Sequence, residues 1–76
     1  MNQEELDAHR VIRIGDVTKL TAMSRTSIYR MEAEGGFPRR IQLNERATAW
    51  RLKEVLEWID SRPRAAPTWE SKAVVG

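Results

Sequence analysis

The residues best suited to chemistry lie in two clusters. Arg25, Thr26, Ser27, Tyr29 and Arg30 stand together behind Ser24, and Arg39, Arg40 and Arg46 follow on the far side of a Gly-Gly-Phe-Pro break. A guanidinium presents a planar fork of donors that matches the oxygens of a phosphate or the edge of a guanine, and hydroxyl side chains add shorter-range donors to the same surfaces. The chemistry is therefore recognition of anionic, hydrogen-bonding surfaces. Bond making has no support: no nucleophile has a base near it, no glycine-rich phosphate cradle is present, and the lone histidine, His9, lies in a polar leader. No catalytic residue, cofactor or metal ligand is expected. Zero cysteines exclude thiolate metal sites, and the carboxylates do not cluster around His9.

Charge along the chain supports this direction without deciding it. Between residues 10 and 64 stand twelve Lys or Arg against seven Asp or Glu, whereas Glu4, Glu5 and Asp7 make the first nine residues acidic. Arginine-rich surfaces suit phosphate, but a solvated basic surface is equally compatible with composition alone. The 76 residues, 41% of them hydrophobic, bound a single small domain. The chain has no apolar run long enough to span a bilayer and no apolar start resembling a secretory signal, so a cytoplasmic protein is expected.

The elements that must position these side chains follow from punctuation and period. Val17 and Leu20 fit a short helix from about 15 to 21, with Asp16 in its first turn. Ser24 is the N-cap of a second helix over 25–34, which Gly35 stops in a left-handed conformation before Pro38. The three residues Thr21, Ala22 and Met23 between them have the length of a helix-turn-helix connection, with Met23 plugging the turn into the core. After Pro38 the period becomes two: Ile41 and Leu43, then Ala47, Ala49 and Trp50, predict a two-stranded hairpin turning at Asn44, a residue that tolerates positive φ. Leu52, Val55, Leu56 and Ile59 form one face of a third helix over 52–61, ended by Pro63. The expected fold is mainly α with a small β-hairpin, a winged helix-turn-helix of three helices plus a two-stranded wing. Residues 1–10 are a mobile leader, 11–62 the domain and 63–76 a flexible tail.

A helical wheel puts Ser24, Ile28, Met31 and Glu32 on the inner side of the second helix and Thr26, Arg30 and Ala33 on the outer side. Helix 25–34 is expected in the major groove, with Arg30 forking onto guanine, Thr26 meeting a phosphate or a thymine methyl, and Arg25 and Ser27 at the anion-attracting N-terminus. Wing 39–50 meets backbone or minor groove. Arg39 and Arg40 read as phosphate contacts and Arg46 either as a contact or as a brace for the hairpin. Tyr29, on the boundary of the wheel, either stacks at the core edge or touches phosphate. Trp50 and Trp58 read as core anchors. Glu54 and Glu57 read as a solvated face, and Trp69 in the tail either marks a partner site or packs loosely.

The string Ser24-Arg25-Thr26-Ser27-Ile28-Tyr29-Arg30, followed by Gly35, Phe37-Pro38, Arg46, Trp50, Val55 and Trp58-Ile59, resembles the AlpA-type prophage regulators, small relatives of phage excisionases within the MerR-like winged-helix group. The resemblance covers about residues 11–62 and departs at the wing tip, where Asn44-Glu45 stand in place of a glycine. It implies a sequence-specific double-stranded DNA-binding protein, acting as a transcriptional regulator or as a recombination directionality factor. The partners it implies are DNA, further copies on adjacent sites, and a recombinase or RNA polymerase. An alternative from another class is a small protein-interaction adaptor that grips a host or recombinase partner.

Overall fold

Asn2 opens the described part of the chain by capping a helix. In the computed structural model, which describes residues 2–66, its side chain accepts the Glu5 N–H at 2.9 Å, and Glu4 and Glu5 fill the first turn of α1 (Gln3–Ala8), where the helix dipole favours carboxylates. The segment expected to be a mobile leader thus holds a helix, through a cap that the sequence reading passed over. No residue of α1 is buried, and the helix rests against α4 (Leu52–Asp60).

The next elements build the helix-turn-helix. β1 (Val11–Ile12) leads into α2 (Ile14–Thr21), which has no side-chain N-cap but carries Asp16 in its first turn. Ala22 ends α2 at φ 60°, in the left-handed region. The Thr21 hydroxyl donates to the Val17 carbonyl at 2.8 Å and accepts the Met23 N–H at 3.3 Å, so the turn is hydrogen-bonded through one side chain. Met23 is half-buried and packs against the core, as expected for a plug. α3 (Arg25–Ala33) starts with Ser24 accepting the Ser27 N–H at 3.2 Å. It stops in a Schellman turn: Gly36 N–H donates to the Met31 carbonyl at 2.8 Å and Gly35 N–H to Glu32 at 3.1 Å, with Gly35 at φ 84° supplying the left-handed residue.

The sheet departs from a two-stranded wing. β3 (Ala47–Arg51) is central, antiparallel to β2 (Ile41–Asn44) on one side and to β1 on the other, where Ile12 faces Trp50. The fold is mainly helical with a small three-stranded antiparallel sheet, in a winged-helix arrangement that has, among the described residues, one helix and one strand more than expected. β1 escaped notice because two residues are too few to show a period. The hairpin turn also works differently from the expectation. No residue in it has positive φ; instead the Asn44 side chain accepts the Arg46 N–H at 2.8 Å, an Asx-type closure that needs no glycine. A register shift between Gln42 and Asn44 takes Leu43 out of the alternation, and it is 47% exposed rather than packed inward with Ile41.

Val17, Ile28, Phe37, Trp50 and Val55 form the core, with Ile12, Ile14, Met23, Met31, Trp58 and Ile59 packed around it. Every main element from β1 to α4 except β2 contributes, so one cluster fixes α2, α3 and the sheet together. Trp50 is fully buried, and its indole N–H donates to the Pro38 carbonyl at 2.9 Å. Burying a side chain of this size is worth about 4–6 kcal/mol of gross transfer free energy. Trp58, half-buried, donates to the Gly36 carbonyl at 2.7 Å and meets Phe37 edge-on at 4.8 Å. Two tryptophans thereby pin the Gly-Gly-Phe-Pro connection between α3 and the hairpin. α4 ends at Asp60, slightly before the expected boundary, and no helix among the described residues is long and apolar enough to cross a membrane. Trp69 lies outside the described residues.

Candidate nucleic-acid interface

The outer side of α3 is polar and open. Ile28 is buried and Met31 and Glu32 are half-buried, while Arg25, Thr26, Tyr29, Arg30 and Ala33 are exposed; this matches the inner and outer sides of the helical wheel except at Ser24, expected on the inner side, which is exposed because it caps the helix end. No acidic residue occupies the first turn of α3, so the positive end of its dipole and the free N–H groups there are not neutralised locally. Ser27 is drawn into the cap: the Ser24 hydroxyl donates to the Ser27 hydroxyl at 3.0 Å while accepting the Ser27 N–H. The Ser27 hydroxyl hydrogen is still free to donate outward, since its oxygen is the acceptor in that pair.

Tyr29 and Arg40 join α3 to the start of the hairpin. The Tyr29 ring lies 6.1 Å from the Trp50 ring on one side, and the Arg40 guanidinium sits 5.1 Å from the Tyr29 ring centroid, a cation–π distance. Tyr29 thus lies at the edge of the core, the first of its two alternatives, with an exposed cation beside its ring. Glu32 holds the same arginine from the side, accepting the Arg40 backbone N–H at 2.8 Å through one carboxylate oxygen and lying 3.5 Å from its guanidinium through the other. The Glu32 side chain is 11% exposed against 43% for Arg40, so the acid is anchored and the base presented. This role of Glu32 went unread in the sequence. The available signal was a carboxylate on the inner side of an otherwise apolar helix face, which needs a partner.

The remaining arginines are freer. Arg25, Arg30, Arg39 and Arg46 are exposed and form no ion pair among the described residues. Arg46 braces the hairpin with its backbone N–H, which leaves its guanidinium available. The four-residue β2 separates Arg40 at the base of the hairpin from Arg46 at its turn, a span of roughly 13 Å. Leu43 adds an exposed apolar side chain between them. Among the described residues no cluster of His, Asp and Glu has the arrangement of a metal site.

Residues 10–63 match the family described as prophage CP4-57 regulatory protein (AlpA). The matched segment runs from the residue before β1 to Pro63 and so contains the helix-turn-helix, the hairpin and α4. The chain is also similar to the uncharacterized protein ORF88 of Enterobacteria phage P4, at 31% identity over 58 residues, which are 76% of this chain and 66% of that relative. The chain thus spans just under two thirds of the relative's length.

Proposed function

The chain belongs to the AlpA family of prophage regulatory proteins, and we propose that it is a sequence-specific double-stranded DNA-binding regulator, acting in transcription or in excisive recombination. α3 enters the major groove. Arg30 reads guanine, Thr26 meets a phosphate or a thymine methyl, and Ala33 keeps the approach close. Arg25 and Ser27 receive phosphate at the helix N-terminus. Arg39, Arg40 and Arg46 follow the backbone beside the wing, with Tyr29 supporting Arg40.

The observation that carries this reading is the contact chain from Trp50 through the tilted Tyr29 ring to Arg40, which Glu32 holds. It ties the exposed cation at the hairpin base to the exposed side of α3, so a helix contact and a backbone contact are set in a fixed relation before any ligand arrives. Such preorganisation reduces the entropy lost on binding. The test is a titration of the full chain with duplex DNA over a series of salt concentrations. Five to seven phosphate contacts give a log K against log salt slope of about −5. Affinity that does not change between low and physiological salt would rule the reading out.

A further inference from the structure

α1 and α4 enclose an open groove of about 700 Å³ that contains no residue of α3 or of the hairpin. Its apolar lining comes from Ala8, Leu52 and Leu56. Leu56 belongs to the same helical stripe as Val55 and Ile59, yet it is 42% exposed, because α1 is too short to cover it. The charged lining is unbalanced: Glu4, Glu5, Asp7, Glu57 and Asp60 stand against Arg10 and Lys53, and Arg10 is already paired with Asp7 at 2.9 Å. The acidic leader and the acids of α4, which sequence alone assigns to solvent, are thus brought together around an uncovered leucine in a protein whose remaining surface is basic.

We propose that this groove docks a basic amphipathic helix of another protein while α3 and the hairpin stay free. Charge decides the class of occupant. Surplus carboxylates repel nucleic acid and anionic lipid, and the leucines favour an occupant with apolar side chains of its own, so the complementary ligand carries Lys or Arg beside a leucine-like stripe. A second copy of the chain is a poor occupant, because its exposed basic helix face is that of α3, which is engaged when the copy is on DNA; this step rests on the proposed function. α1, six residues long with nothing buried, is marginal as an isolated helix and gains a second packing surface when the groove is filled.

The experiment titrates the full chain, without DNA, with a synthetic Leu/Lys amphipathic peptide and with a Leu/Glu peptide of the same leucine pattern, followed by backbone amide NMR. The expected result is perturbation of residues 3–10 and 52–60 by the Leu/Lys peptide alone, with increased hydrogen-exchange protection in α1. Glu57→Lys combined with Asp60→Lys, and separately Leu56→Ser, weaken that binding by about tenfold or more. Equal binding of the Leu/Glu peptide, perturbation confined to α3 or the hairpin, or full affinity in both variants overturns the proposal. Self-association of the free chain that Leu56→Ser abolishes overturns it in favour of a second copy. Salt-dependent DNA binding is measured on the same samples: its absence in the unaltered chain defeats the DNA reading, while the peptide result still decides the groove.

Discussion

Glu32 accepts the backbone N–H of Arg40 at 2.8 Å and faces its guanidinium at 3.5 Å, so an acid on the inner side of α3 fixes a base at the foot of the hairpin. The connection through Gly35 and Gly36 is otherwise held by its Schellman hydrogen bonds, by Phe37, by the two indole hydrogen bonds and by the Arg40–Tyr29 contact. Glu32 therefore acts as a positioning residue at the joint between helix and wing.

Glu32→Ala separates this role from simple electrostatics by the sign of its effect. Deleting a negative charge beside a phosphate-binding surface raises affinity if Glu32 is merely a nearby acid. If it positions Arg40, affinity for specific DNA falls by about 1–2 kcal/mol despite the gain in net positive charge, in line with losing a hydrogen bond to a charged group. Quantitative binding at fixed salt, with circular dichroism to confirm the fold, distinguishes the two signs.

Arg30→Ala and Arg40→Ala are expected to differ in kind. Arg30, on the exposed side of α3, is assigned to a base edge, so its loss costs about 1–3 kcal/mol on the specific site and relaxes base preference. Arg40, held by Glu32, is assigned to a phosphate, so its loss is expected to weaken binding to all sequences alike and to make the salt slope shallower by about one. Paired titrations on specific and random duplexes check this. Equal losses on both duplexes for both variants would remove the distinction between reader and clamp.

The two faces of α3 were legible because a helix of this length repeats its period more than twice, and its ends were legible because Ser24 and Gly35 have one dominant use each. Leu43 was misread because a bulge breaks a period of two without any residue type that announces it. α1 was missed because Asn2 caps only a single short run, and its stability depends on α4, which lies far away in sequence. Glu32 on the inner side of α3 announces a need for a partner, but that the partner is Arg40 depends on how tightly the chain folds back through Gly35–Pro38, which no local pattern specifies.

Trp50→Ala is expected to unfold the domain rather than to weaken binding alone. The side chain is fully buried, and removing a buried aromatic costs about 3–5 kcal/mol, a large share of the stability of a chain this small. It also leaves the Pro38 carbonyl without its donor and Tyr29 without its backing ring. Trp50→Phe keeps an aromatic ring in the core but loses the hydrogen bond and part of the indole volume, so its destabilisation is smaller than that of Trp50→Ala. Urea denaturation of both variants by circular dichroism tests the order; a folded Trp50→Ala chain of ordinary stability at room temperature contradicts it.

Ala22 and Gly15 bracket α2 and respond to opposite exchanges. Ala22 adopts φ 60°, where an L-residue with a Cβ is strained by about 1–2 kcal/mol, and it is exposed, so its methyl contributes little packing. Ala22→Gly relieves that strain but adds freedom to the unfolded chain, which takes back about 0.4–1 kcal/mol. The net expectation is a gain of about 0.5–1 kcal/mol, a rise in Tm of roughly 2–8 °C for a domain of this size. Gly15 is helical, does not have positive φ, and has nothing within 4 Å of the place its Cβ would occupy. Gly15→Ala therefore stabilises through the unfolded chain alone, by up to about 1 kcal/mol and less this close to the helix start. Ala22→Val runs the other way, because β-branching deepens the left-handed strain. Thermal unfolding of the three variants reads the sign of φ at each position. A lower Tm for Ala22→Gly would show that the turn after α2 is not left-handed in solution.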